Sequence, residues 1–167
     1  AKYARIKPGD SVFEFGCGVG AALGVVGKLG EVGGCDFSAT AVAVARQQFP
    51  TFAKNFFVRN MIDPFPEFSD NTFDHAGSFG AIGMYLTWPE MQLAVKEAAR
   101  MTKSGGTVFV TQLIEPRTSD RGSIRTPIPM ANWQPFVDQL GGRELVIKHH
   151  RGTTKPNRYF ITFVVSD

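Results

Sequence analysis

Apolar positions along this chain fall into two alternating patterns. Short runs rich in β-branched and aromatic residues alternate with longer stretches of helical period. Residues 11–15 (SVFEF) predict a buried strand, entered through the turn Pro8-Gly9-Asp10. The strand runs into Gly16-Cys17-Gly18-Val19-Gly20, and a small-residue helix is expected over 21–29, ended by Gly30. A short second strand at 32–35 closes on Asp36. Ser38 is placed to cap a helix over 39–48, which Pro50 stops. Residues 56–58 predict a third strand, 60–72 a loop rich in Pro, Asp and Asn, and 73–78 a fourth strand. Thr87-x-x-Glu90, with Pro89 in the first turn, has the form of a capping box and opens a helix to about Met101. Met91, Val95, Ala98 and Ala99 fall on one face of that helix. Lys103-Ser104-Gly105-Gly106 predicts a turn, and 107–114 a fifth strand. A Pro- and Arg-rich loop over 115–131 follows, then a helix over 133–140 with Asn132 as its cap. Two strands at 144–149 and 159–165 end the pattern as an antiparallel hairpin.

Strand and helix alternate over the first 114 residues, which argues a parallel sheet with helices on both faces. Continuously apolar strands such as SVFEF and TVFVTQLI suit a doubly covered sheet. The 167 residues match a single domain spanning 1–167, and 43% hydrophobic with 20% charged residues is globular composition. The net charge of +3 does not by itself mark a nucleic-acid binder. It is unevenly placed: residues 1–114 carry 10 basic and 10 acidic side chains, residues 115–167 carry 8 and 5. No apolar run is long enough to span a membrane, and no secretory signal pattern is visible. Two cysteines, Cys17 and Cys35, make neither a disulfide framework nor a zinc site, and are expected to be reduced thiols of a cytoplasmic protein. No metal site is expected.

The segment from Glu14 to Gly20 carries the strongest chemical signal. It follows a strand and opens a helix, and its glycines permit positive φ and close approach of a ligand to the backbone. Asp36 ends the next strand 20 residues after Gly16, the spacing of a carboxylate that grips ribose hydroxyls. Gly16-x-Gly18-x-x-Ala21 also satisfies a dinucleotide fingerprint, so an NAD(P)-dependent oxidoreductase is a rival reading. Glu14 tips the choice, because a carboxylate beside the loop suits a cationic ligand better than a pyrophosphate. With VFEFGCGVG (12–20), GCDFS (34–38), NMIDPFP (60–66), DNTFDHAGSFGAIGMYL (70–86) and KSGGTVFV (103–110), the chain resembles the class I S-adenosylmethionine-dependent methyltransferases. The phrases stand in that family's order and spacing along nearly the whole chain.

The resemblance implies a Rossmann-like α/β sheet of seven strands in the order 3-2-1-4-5-7-6, and S-adenosylmethionine as cofactor. It places Glu14, Gly16, Cys17, Gly18 and Gly20 around the methionine part, and Asp36 on the ribose with Phe37 against the adenine face. Asn60 and Met61 stand near the adenine amino group, where the family often has Asp; Asp63 is a rival for that place. Ser78 and Phe79 end the fourth strand beside the amino acid end of the cofactor. Phe13, Phe15, Phe73 and Phe109 are assigned to the core, and Phe37 and Phe79 to the site.

No general base announces itself. Tyr85, after the fourth strand, is the best polar candidate for catalysis. His75 reads as a packed strand histidine, and His149-His150 receives no role because adjacent strand side chains point to opposite faces. The segment after the fourth strand reads Ser-Phe-Gly-Ala-Ile-Gly rather than Asn-Pro-Pro-aromatic, which argues against nucleic-acid bases and for a small-molecule acceptor. Arg117, Arg121 and Arg125 are placed to meet an acidic acceptor or to lie in a solvated loop. Lys148, Arg151, Lys155 and Arg158 cluster near the hairpin, which the resemblance places away from the active site, and read as solvated surface, open to an anionic partner. Family members often carry helices before the first strand that roof the acceptor site, whereas about ten residues precede Ser11 here. The expectation is a lid on a further N-terminal segment or an open pocket. A methyltransferase-like binding subunit without turnover is the second rival.

Overall fold

The computed structural model describes residues 4–26, 29–114, 117–118, 124–125, 127–150 and 158–166. One sheet holds β1 (Val12–Phe15), β2 (Val32–Asp36), β3 (Phe56–Val58), β4 (Phe73–Ala81), β5 (Thr102–Leu113), β6 (Arg143–His150) and β7 (Arg158–Val164). The spatial order is β3-β2-β1-β4-β5-β7-β6. The first five strands run parallel, β7 is antiparallel to β5, and β6 is antiparallel to β7. This is the order the family resemblance implies.

Among the described residues five helices cover the sheet: α1 (Ala21–Val26), α2 (Ala39–Gln48), α3 (Ile82–Tyr85), α4 (Trp88–Met101) and α5 (Trp133–Gln139). Strand alternation sends apolar side chains both ways, so two cores form. Leu23 of α1 and Val42 and Ala45 of α2 pack with Val12 and Phe109. On the other face Met91, Val95 and Ala98 of α4 and Trp133 and Phe136 of α5 pack with Phe13, Phe15, Val108 and Val110. That second core is built on ring contacts. Phe13 meets Phe65 at 5.0 Å, Phe15 at 5.2 Å and Phe68 at 5.5 Å between centroids, all edge to face. Such pairs add to what area burial alone provides.

The local signals act as the sequence predicts in α2 and α4. Ser38 accepts a hydrogen bond from the Ala41 N–H at 3.2 Å, and Glu90 reaches back to the Thr87 N–H at 2.7 Å. Elsewhere the structure differs. Of the helix expected over 21–29, α1 ends at Val26, Leu29 is not helical, and residues 27–28 lie outside the described residues. Pro50 stops α2 but opens a 3-10 helix, Pro50–Asn55. The expected turn at Lys103–Gly106 lies inside β5, which already pairs at Thr102 with Phe73 and resumes at Thr107 with His75. Four residues therefore bulge opposite Asp74, aided by positive φ at Gly105 (77°) and by an ion pair of Lys103 with Asp74 at 2.8 Å. Asn132 makes no capping bond, because a 3-10 turn over Met130–Asn132 feeds straight into α5. The loop after β5 contains a two-stranded ribbon, Arg117–Thr118 with Ile124–Arg125.

Candidate functional site

β1 delivers the glycine turn to the edge where the parallel strands end, the usual ligand edge of an open α/β sheet. Gly16, Gly18 and Gly20 have φ of 73°, 53° and 82°, a region that disfavours any side chain. Their reasons differ. A Cβ on Gly16 would overlap the Cβ of Ala81, and one on Gly20 would come 2.8 Å from the Phe49 ring. A Cβ on Gly18 would meet nothing within 4 Å, so this residue keeps the open side of the turn clear.

Glu14 lies behind the turn and is 3% exposed. The Phe79 backbone N–H donates to its carboxylate, while Oε2 is buried without a partner. No Lys, Arg or His among the described residues pairs with it. Burial pushes its pKa up to about 8; the Phe79 bond opposes this and the nearby Asp36 adds to it. Asp36 closes the turn: Oδ2 accepts from the Gly18 N–H and Oδ1 from the Ser38 N–H, both at 2.9 Å. Each carboxylate oxygen retains acceptor capacity for a hydroxyl.

The structure thus ties Glu14, Gly18, Asp36 and Phe79 into one cluster. Cys17 lies within it, its N–H donating to the Cys35 carbonyl at 2.8 Å. Phe37 is 80% exposed, next to Asp36. Met61 is buried against the Gly16 side of the turn. Asn60 is exposed and accepts from the Ile62 N–H at 3.3 Å, and Asp63 is exposed beside it. Ser78 is fully buried, and its hydroxyl accepts from the N–H groups of Ala81 at 2.8 Å and Ile82 at 3.2 Å. That hydroxyl turns β4 into α3. Phe79 is half-buried and packs against Phe109, with ring centroids 4.4 Å apart and planes tilted by 31°. Tyr85 is exposed at the end of α3, which a bridge from Gly83 to Gln112 lays beside the end of β5.

Other candidates stand apart. His75 bonds Asp10 at 2.9 Å and pairs with Val12, toward the opposite edge of the sheet. His149 is exposed against Tyr159. The side chains of Arg117, Arg125 and His150, and the whole of Arg121, Arg151 and Lys155, lie outside the described residues. Lys148 is exposed. Arg158 is only half-buried, but its Nε is shielded and unpartnered, so it is not plain solvated surface. Two groups in the strand read as apolar are polar and buried. Thr111 Oγ1 has no partner among the described residues, whereas Gln112 donates to the Ile128 carbonyl at 2.6 Å and accepts from the Trp133 indole at 3.1 Å. The signal for both was their position inside TVFVTQLI.

Cys17 and Cys35 are free and buried in different cores, so they point to opposite faces of the sheet. Burial pushes both thiols up, that of Cys35 to about 12. Among the described residues no helix is long and apolar enough to cross a membrane.

With this geometry in place, residues 12–106 match the model of a family described as "Methyltransferase domain". The chain belongs to the class I S-adenosylmethionine-dependent methyltransferases. The demethylmenaquinone methyltransferase of Bacillus licheniformis is 29% identical to this methyltransferase domain over 117 residues, 67% of this chain. That of Bacillus mycoides is 30% identical over 118 residues, 66% of this chain. The domain covers 48% of each of these relatives, about half their length. Among solved structures, an S-adenosylmethionine-dependent methyltransferase of Methanosarcina mazei superposes with a TM-score of 0.69 at 16% identity, covering 99% of this chain and 96% of that one. The methyltransferase from a Haloferax volcanii complex with the activator Trm112 gives 0.72 at 21%, covering 99% and 87%. The cofactor of the family is S-adenosylmethionine. The orphaned Glu14 oxygen and the clear side of Gly18 fit a cationic ligand pressed against backbone.

Proposed function

We propose that this domain transfers the methyl group of S-adenosylmethionine directly to a small-molecule acceptor. The observation that carries the reading is Glu14: a buried carboxyl with an unpartnered oxygen and no pairing cation among the described residues, behind a glycine turn whose open side Gly18 keeps clear. A cationic ligand supplies the partner charge that lets this carboxyl ionise, which burial alone opposes. When bound, S-adenosylmethionine offers an electrophilic methyl group on a sulfonium whose sulfur leaves as a neutral thioether. Glu14 and the amides of the turn hold the methionine end, and Asp36 holds the ribose hydroxyls with both oxygens. Phe37 offers an exposed ring to the adenine, with Asn60 and Met61 at its edge. Phe79 stands over the end of β4, and the buried Ser78 fixes the backbone that carries it. Tyr85 is the candidate to orient the acceptor or take its proton. Alignment of two bound reactants is worth roughly 7–11 kcal/mol, so a site without a strong base is still equipped for displacement. The relatives' names, which specify demethylmenaquinone, support an acceptor of small-molecule size.

The test is calorimetry with S-adenosylhomocysteine on the wild-type domain and on Asp36→Ala. Binding by the wild type and a loss of at least tenfold in the variant, about 1.4 kcal/mol, are expected. No binding of S-adenosylmethionine or S-adenosylhomocysteine by the wild type would overturn the reading. Binding without turnover on any acceptor would favour a non-catalytic subunit.

A further inference from the structure

We propose that the acceptor is a planar molecule with an anionic oxygen group, a carboxylate fitting best, and that Thr111 and Arg158 recognise that group. The inference rests on the methyltransferase reading above and names the acceptor side of the same site.

β5 and β7 pair in unbroken register from Thr107 opposite Val164 to Leu113 opposite Arg158. That register fixes which side chains share a face. Phe109 packs with the α1 and α2 core, and Val108 and Val110 with the other. Thr111 therefore stands on the Phe109 face. Phe160 lies opposite it, and Arg158 is two positions along β7 on that face. Across an antiparallel pair such diagonal neighbours lie about 7–8 Å apart, within reach of a long side chain.

Both residues carry an unsatisfied atom. Thr111 is 8% exposed and its Oγ1 has no partner among the described residues; the Arg158 Nε is likewise shielded and unpartnered among them. Buried polar groups are seldom left unmatched, and two on adjoining strands of one face call for a shared partner. Both atoms can donate, so the partner accepts. Lys148 of β6 pairs with Phe160 and shares the face, adding a second positive charge. No carboxylate stands on this face of β4, β5 and β7 among the described residues.

The position suits an acceptor. Glu14 pairs with Gly77 of β4, and Phe79, whose N–H meets Glu14, packs against the Phe109 ring of β5. Along the rim the order is thus Glu14, Phe79, Thr111, Arg158. Three strand spacings separate the ends, about 14 Å. The acidic end suits the sulfonium cofactor, and the basic end the acceptor. The half-buried rings of Phe79 and Phe160 flank Thr111 on the neighbouring strands, which favours a flat acceptor. The carboxylate is a handle at the Thr111–Arg158 end, and the atom to be methylated points toward Phe79.

The experiment saturates the protein with S-adenosylhomocysteine and titrates benzoate, with benzamide as the neutral control, by ligand-observed NMR. Benzoate is expected to bind the loaded protein. Thr111→Val and Arg158→Gln should each weaken it at least tenfold, with S-adenosylhomocysteine affinity unchanged. Thr111→Val removes an unsatisfied hydroxyl at constant shape, so its thermal midpoint should equal or exceed that of the wild type. Benzamide should bind weakly and respond to neither substitution. Loaded protein that ignores benzoate, or variants that bind it as the wild type does, would overturn this inference alone. Failure to bind S-adenosylhomocysteine would bring down the preceding reading, and this one with it.

Discussion

Burial sets the protonation of Glu14, and that has a measurable sign. Its folded pKa of about 8 lies above the ordinary 4.5, so folding favours the protonated form. The associated stability is fully present below about pH 4.5 and is lost as pH rises through about 8. The ligand-free domain should therefore be less stable at about pH 9 than at about pH 6, by on the order of a few kcal/mol, and melt at a lower temperature. Glu14→Gln should flatten that slope and raise the midpoint at high pH, while weakening S-adenosylmethionine binding. Thermal melts at both pH values, with calorimetry on the variant, check the two halves. A variant that keeps the wild-type slope would show that another group carries it.

At the scale of the turn and its strands, the three glycines separate packing from ligand access. Gly16→Ala meets Ala81 and also has to hold φ near 73°, so it should lower stability. Gly18→Ala incurs only the left-handed backbone penalty, roughly 1–2 kcal/mol, because its Cβ meets no protein atom within 4 Å. Denaturant unfolding should show the larger loss in Gly16→Ala, whereas Gly18→Ala should stay folded and lose S-adenosylhomocysteine affinity. Equal stability losses in the two variants would contradict this assignment. The turn was legible from sequence because glycine spacing, Glu14 and Asp36 are local signals. The same holds for α2 and α4, where Ser38 and the Thr87–Glu90 pair state their own boundaries. The bulge at the start of β5 was not legible, because strand pairing at Thr102 is decided by Phe73 on another strand. Thr111 and Arg158 were hidden for the same reason. A threonine in an apolar run and an arginine after a polar loop become neighbours only once β7 folds back along β5.

Over the whole molecule, two cores are divided by one sheet, and Gln112 shows how distant parts are tied to it. Its side chain joins β5 to Ile128 and to Trp133 of α5, a link that no spacing in the sequence announces. The division also gives the domain a gauge of its own opening. Cys17 is sealed on the α1 and α2 side and Cys35 on the α4 and α5 side, both buried. A thiol reagent can reach either one only when that side parts from the sheet. Native protein should label slowly at both positions. Mass spectrometry of pulse-labelled peptides would then report the lifetime of each half separately. Ligand bound at the glycine turn should slow Cys17 more than Cys35, because Cys17 belongs to that turn. Equal slowing would mean the two faces open together, as one cooperative unit, and the sheet would then be a shared spine rather than a partition between two independently breathing halves.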